Sequence, residues 1–310
     1  MSETVIVEAG ERPSLKGRME SLTLRAYLAL ALGVVCIGFS AIFTKWALVP
    51  GPVSAFYRVA IATVALSVPY ALQSARVRKS PGRIPMTPRL MWGVAFAGLF
   101  FALDLALWNT SLAFTSAANA TLLGNTSTVW VSLGAMLLFH ESLKRRFWLG
   151  MFMAFVGAVI IVGRDIFEHH DLGWGDLLAV GSSLFYAAYL LGTQRVRQHV
   201  GTLSFMWLSS MVATAFLLAY VLVAGSNLTG FPVNTWLALL ALGLISHALG
   251  WMAINYSLGH LPAPIASVSL LSQPVITAIV AVPLLAEPLS IYQIVGGLLV
   301  LLGIYIVNRR

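Results

Sequence analysis

Ten stretches of the chain are apolar for about the length of a membrane helix. They fall at residues 26–47, 53–72, 90–113, 117–140, 147–164, 175–194, 204–224, 235–257, 264–285 and 290–307. A helix needs roughly 20 mostly apolar residues to cross the hydrocarbon of a bilayer. Within these runs the apolar positions are continuous and do not alternate at period two, which argues against a membrane β-barrel. The pattern predicts an all-α polytopic membrane protein with ten transmembrane helices. The connections are short and hold turn residues, as at Pro50-Gly51-Pro52, Pro81-Gly82, Gly225-Ser226-Asn227 and Leu261-Pro262. Residues 1–22 are polar and of mixed charge. They lack the apolar core of a signal peptide and read as a flexible cytoplasmic tail.

Composition agrees with the pattern. The 310 residues are 59% hydrophobic and 10% charged, whereas a soluble domain is about a quarter charged. The net charge of +8 does not point to nucleic acid, because the basic residues sit in short clusters between apolar runs. That is the pattern of cytoplasmic membrane loops. With the N-terminus placed in the cytoplasm, every one of the 19 basic residues except Lys45, Arg58 and Arg164 falls on the cytoplasmic side. The expected location is the cell inner membrane, multi-pass, with both termini cytoplasmic. The single cysteine, Cys36, excludes an intrachain disulfide and reads as a small packing residue.

The chain also matches itself. Displaced by 146 positions, Asn109 falls on Asn255, Ser111 on Ser257, Glu141 on Glu287, Leu143 on Leu289, Gly150 on Gly296 and Gly157 on Gly303. No gap is needed between residues 101–162 and 247–308. The repeat unit holds five spans. Five is odd, so the second copy enters the membrane from the opposite side. The expected organisation is residues 26–164 and 175–308 as two inverted five-helix repeats, an architecture used by secondary transporters.

Two segments carry a family resemblance: "FHESLKRRFWLGMFMAFVGAVIIV" and "LAEPLSIYQIVGGLLVLLGIYIV", each closing one repeat, together with "SAFYRVAIATVAL" in span two. The chain resembles the drug/metabolite transporter superfamily, in particular its EamA-type ten-helix members, with the aromatic amino acid exporters as a neighbouring group. That resemblance implies alternating access through a cavity between the halves. It also implies export of amino acids and related metabolites, less often uptake.

Polar residues inside the apolar runs are the candidates for chemistry. An acidic residue at bilayer depth costs about 2.5–3.5 kcal/mol on the insertion scale, so Asp104 must face a cavity or a partner. It reads equally as a counter-ion for a substrate ammonium and as the buried partner of Arg58, placed roughly 6 Å away in depth. His247 is a group able to titrate near neutral pH, or a packing residue. Asn125 and Gln273 offer amides to a zwitterion. Trp108, Tyr186 and Trp251 are the aromatic candidates for a substrate face, chosen from Tyr57, Trp130, Tyr189, Trp207 and Tyr256 besides, because they lie away from helix ends. The candidate substrate-binding set is therefore Arg58, Asp104, Trp108, Asn125, Tyr186, His247, Trp251 and Gln273.

Other features read as structural. Lys45 is expected to snorkel to the interface. Pro274 is expected to kink span nine. Glu141 and Glu287 are expected to bond the start of the following helix. The glycines at 150, 157, 296 and 303 form a packing seam and a candidate dimer surface. The polar loop with Asp165, Glu168, His169, His170, Asp171 and Asp176 fits no metal-ligand spacing. No nucleotide motif occurs, so no cofactor is expected. The expected partners are the lipid bilayer and a small-molecule substrate, an amino acid or similar metabolite, with the chain a monomer or homodimer. The function expected is secondary transport, with amino acid export ahead of uptake of a vitamin, nucleoside or carboxylate. The rival of another class is an integral-membrane enzyme or sensor.

Overall fold

The computed structural model describes residues 15–78, 86–115, 117–162, 173–285 and 289–309, and these are helical throughout apart from short connections. Among the described residues, nine helices are long and apolar enough to cross a membrane: α1 (Ser21–Ala47), α2 (Gly51–Arg76), α3 (Pro88–Ser111), α4 (Ala120–Phe139), α6 (Trp174–Arg197), α7 (Thr202–Val223), α8 (Val233–Leu258), α9 (Ala263–Leu284) and α10 (Ile291–Asn308). The tenth apolar run is the 18-residue helix α5 (Arg145–Val162). The first helix begins at Leu15, inside the stretch expected as tail.

Helix ends follow local chemistry. Thr87 accepts from Leu90 N at 3.4 Å ahead of Pro88 in the first turn of α3, where a missing N–H costs nothing. Ser290 and Gln293 exchange reciprocal bonds of 3.2 and 2.9 Å at the start of α10, a capping box. Leu48 and His140 end α1 and α4 with φ of 52° and 54°. Asp176 accepts from Gly173 N and Thr115 Oγ1 at 3.1 and 2.8 Å, fixing the start of α6; the rest of its acidic loop, Asp165 to Asp171, lies outside the described residues, as does Glu287.

The packing is two-fold. Contacts pair α1 with α8 and α3 with α6, α1 with α9 and α4 with α6, and α2 with α8 and α3 with α7. Exchanging each helix for the one five places along turns every pair into its fellow. The remaining large contacts, α2 with α7, α4 with α9 and α5 with α10, map onto themselves. The five-helix repeat in the sequence is thus also the repeat in space, and since five spans reverse direction, its copies are inverted.

The glycine seam lies on that axis. A Cβ on Gly150 would stand 2.6 Å from the Gly303 carbonyl oxygen, and one on Gly157 would stand 2.6 Å from that of Gly296. The four glycines let α5 and α10 touch backbone to backbone. This corrects the dimer-surface expectation for the seam: a helix of the same chain already fills it. On the outside, Leu28, Val64, Leu137, Phe152 and Leu298 are each more than half exposed, a continuous apolar coat suited to lipid and not to water.

Three spans are broken. α1 breaks at Phe39, and the Gly38 carbonyl there accepts from Thr277 Oγ1 at 2.7 Å. α4 breaks at Thr126 and α9 at Leu271–Ser272. Thr126 and Ser272 are 146 positions apart and make the same bonds. Each hydroxyl reaches the carbonyl three residues earlier, Leu123 at 2.5 Å and Ser269 at 2.6 Å, and each N–H does so at 3.1 Å. Pro274 therefore lies in the first turn of a new half-helix, just beyond the break. Within α8, Leu242–Trp251 is π-helical.

Candidate functional site

A cavity of about 660 Å³ lies between the two halves, within the roughly 300–1,000 Å³ usual for small-molecule sites. It runs from mid-depth to the membrane face opposite the N-terminal end of α1, hereafter the distal face. Lys45 of α1, Ile161 of α5 and Gln293 of α10 line its distal end. Lys45 is exposed and part of the cavity wall at that end.

Seven of the eight candidate residues line this cavity: Arg58, Asp104, Trp108, Asn125, Tyr186, Trp251 and Gln273. Arg58 lies seven residues after the start of α2 at Gly51, and Asp104 lies seven before the end of α3 at Ser111. The two helices run in opposite directions, so both charges sit about 10 Å below the distal helix ends and not offset in depth as the sequence estimate had them. Asp104 Oδ1 accepts from Ser182 Oγ of α6 at 2.6 Å. Arg58 Nε is buried with no hydrogen-bond partner among the described residues, and the same is true of Asn125 Nδ2 and Trp251 Nε1. Three donors without acceptors thus belong to residues around one cavity. An unmet buried donor costs about 1–3 kcal/mol, and a ligand acceptor would recover that cost.

The inner end of the cavity is aromatic. The Trp251 ring meets Phe101 edge-on at 4.9 Å, Tyr189 at 5.3 Å and Tyr186 at 5.9 Å. Phe101, Tyr186 and Trp251 line the cavity, and Tyr189 stands behind them, donating to Asn255 Oδ1 at 3.0 Å. His247 lies apart from the cavity. It is buried behind Phe101, with ring centroids 5.4 Å apart, and its Nε2 is 3.4 Å from Ser210 Oγ.

The other aromatic residues are tied down elsewhere. Trp130 donates to Ser183 at 3.1 Å, and Trp207 donates to Ser67 at 3.0 Å while stacking on Tyr70 at 4.1 Å. Tyr57 reaches the Leu228 carbonyl at 2.5 Å. Tyr256 packs its ring at a tilt against His260, with centroids 4.5 Å apart.

Below the aromatic layer, toward the N-terminal face, polar bonds close the molecule. Gln194 Nε2 donates to Glu141 Oε1 at 2.9 Å, and Gln194 Oε1 accepts from Ala263 N at 2.8 Å. One side chain thus joins the loop after α4, the end of α6 and the start of α9. Glu141 serves this bridge, which corrects its expected role at the start of α5. Arg197 Nε donates to the Asn255 carbonyl at 2.9 Å, and Arg197 Nη1 donates to the Val200 carbonyl.

Ser182 and Phe101 line the cavity and Gln194 bridges the elements below it, positions that the sequence did not single out. A serine or phenylalanine inside an apolar run carries no signal of its own. Gln194 was legible only as an amide near the end of a span.

Comparison with known proteins agrees with this architecture. The model of the EamA-like transporter family matches residues 24–163 and again 173–309. An uncharacterized transporter of Archaeoglobus fulgidus is 27% identical over 204 residues, covering 64% of this chain and 70% of that protein. A probable amino-acid metabolite efflux pump of Salmonella typhimurium is 25% identical over 239 residues, covering 72% and 77%. A crystal structure matches with a TM-score of 0.73 at 19% identity, covering 93% of this chain and 96% of its own, a likeness of fold. Two family matches on two halves related by a two-fold axis leave one assignment: the chain belongs to the EamA-like transporter family, within the drug/metabolite transporter superfamily.

Proposed function

We propose that this transporter exports amino acids or closely related small metabolites across the inner membrane by alternating access. The observation that carries the reading is the set of three unpartnered donors, Arg58 Nε, Asn125 Nδ2 and Trp251 Nε1, on residues lining the same cavity as Asp104. Donors without acceptors suit a carboxylate. The Asp104 carboxylate, held at one oxygen by Ser182, suits an ammonium. The faces of Trp108, Tyr186 and Trp251 suit an apolar side chain and add cation–π attraction to an ammonium. A molecule with all three parts is an amino acid. The efflux pump among the relatives supports the same substrate class and direction.

The test has two stages. Purified protein is screened by thermal shift against amino acids and other metabolites, since a ligand of the folded state raises the melting temperature. Ligands that shift it are then followed as labelled solutes in proteoliposomes. The expected result is a shift and a flux for an amino acid, both lost on Asp104→Asn. Full transport by Asp104→Asn would remove the carboxylate from the mechanism. Flux of none of the amino acids or common metabolites would sink the reading. Direction is read from cells: deletion of an exporter gene gives sensitivity to the compound, whereas a growth requirement would mean uptake.

A further inference from the structure

In the gap-free register of the repeat, five polar or small-residue pairs have opposite surroundings. Asn109, Thr121, Gln273, Pro274 and Ala278 line the cavity and are half-exposed. Their counterparts 146 positions away, Asn255, Ser267, Ser127, Thr128 and Ser132, are all buried. His247 and its counterpart Phe101 are both buried, and of the two Phe101 lines the cavity. The buried set is polar and packed at bilayer depth, where polar side chains are kept for helix contacts or for a path.

The geometry pairs up in the same way. In the half nearer the N-terminal face, α4 and α9 touch, with Thr128 Oγ1 3.5 Å from the Ser267 carbonyl. In the distal half the counterparts of these two residues, Pro274 and Thr121, both stand on the cavity wall. The two contact patterns meet at the matched breaks, Thr126 and Ser272.

We propose that Thr128, Ser132, His247, Asn255 and Ser267 form a second half-path for the substrate. It opens to the N-terminal face when the half-helices of α4 and α9 swing about Thr126 and Ser272, and the Glu141–Gln194–Ala263 bridge is the latch that holds it shut. The proposal rests on the alternating-access reading. It also assigns chemistry. The five side chains of the second half-path are hydroxyls, an amide and an imidazole, with the Glu141 carboxylate and the Arg197 guanidinium at its N-terminal end, so it lets an amino acid pass by exchangeable hydrogen bonds. The charged contacts, Arg58 and Asp104, stay in the distal half. Opening must also break the Tyr189–Asn255 bond, which ties the aromatic layer to the closed side.

Two cysteine reporters at counterpart positions test the proposal. In a Cys36→Ser background, Thr121→Cys and Ser267→Cys are labelled separately by a water-soluble maleimide in lipid nanodiscs, with and without Gln194→Glu. That substitution keeps an acceptor for Ala263 N but replaces the donor to Glu141 with a second carboxylate. The expected result is labelling at least tenfold faster at position 267 and at least threefold slower at position 121. Unchanged rates at both positions, in protein that melts as its parent does, overturn the proposal. Faster labelling at 267 without slowing at 121 also overturns it, because one face has then loosened without the halves exchanging. Glu141→Ala, which leaves the Gln194–Ala263 bond intact, repeats the comparison if Gln194→Glu fails to fold. Amino acid flux is measured on the same proteins. Flux with unchanged labelling sinks the latch and second half-path alone, whereas absent flux in the parent sinks the transport reading.

Discussion

Arg58 illustrates what a single residue reveals. A guanidinium in an apolar run is visible in the sequence, because no packing argument tolerates it without a partner or a cavity. Asp104, Asn125 and Gln273 stood out for the same reason, and all four line one cavity. Ser182 could not stand out. A serine in a membrane helix usually bonds its own backbone, as Ser183 does here to the Val180 carbonyl at 2.7 Å, and only the fold brings Ser182 to Asp104. His247 shows a different limit. Its depth was read correctly, but depth does not say which half of the path is open, and its counterpart Phe101 is the one on the cavity wall. One prediction belongs at this scale. Arg58→Lys keeps the positive charge and removes the planar fork and its Nε donor. If that donor meets a carboxylate, a charge-assisted bond of about 1.5–3 kcal/mol is lost. The dissociation constant of the bound amino acid should rise about tenfold or more, measured by calorimetry, with the melting temperature of the free protein within a few degrees of the parent. Unchanged affinity would take Arg58 out of the binding set.

At the scale of helices, hydropathy located the spans to within a few residues but not their interruptions. Pro274 marked the break in α9. The break in α4 has no proline, only Gly124 inside the turn where the Thr126 hydroxyl bonds back to Leu123, and a lone glycine in an apolar run is a weaker signal. Only the repeat register, by placing Thr126 on Ser272, identifies the two as one motif. The glycines of α5 and α10 were legible as a seam because they recur at a spacing of seven, yet their partner was not, since sequence gives a face and not what covers it. The seam yields a sharp expectation. Gly157→Leu would drive a side chain into the Gly296 carbonyl and Val300, where a Cβ alone would stand 2.6 to 2.9 Å from its nearest atoms. Overpacking of this kind costs about 1–3 kcal/mol. The melting temperature should fall by several degrees while amino acid affinity of the remaining folded protein is unchanged, because the pair α5–α10 stands beside the cavity and, among the described residues, contributes only Ile161 and Gln293 to it. Loss of affinity at an unchanged melting temperature would place the seam in the path.

For the whole molecule, symmetry and charge answer different questions. The inverted repeat makes the two membrane faces equivalent in architecture, and it would support transport in either orientation. The basic residues break that equivalence. By the order of spans in the sequence, all 19 except Lys45, Arg58 and Arg164 are expected on the side of the N-terminus, and such an excess is retained on the cytoplasmic side during insertion. The N-terminal face should therefore be cytoplasmic, and the cavity, which reaches the distal ends of α1, α5 and α10, should open outward. A C-terminal fusion to a fluorescent protein that matures only in the cytoplasm should be bright, and a fusion to a phosphatase active only outside should be silent. Reporters placed in the connection between α1 and α2 should give the reverse. Orientation bears directly on mechanism. In an outward-open state the charged residues Arg58 and Asp104 stand in the half from which an exporter releases its cargo, and the neutral polar set around Ser267 guards the half through which the cargo enters. Fusions reporting the opposite topology would exchange those roles, and the same cavity would then belong to an uptake cycle.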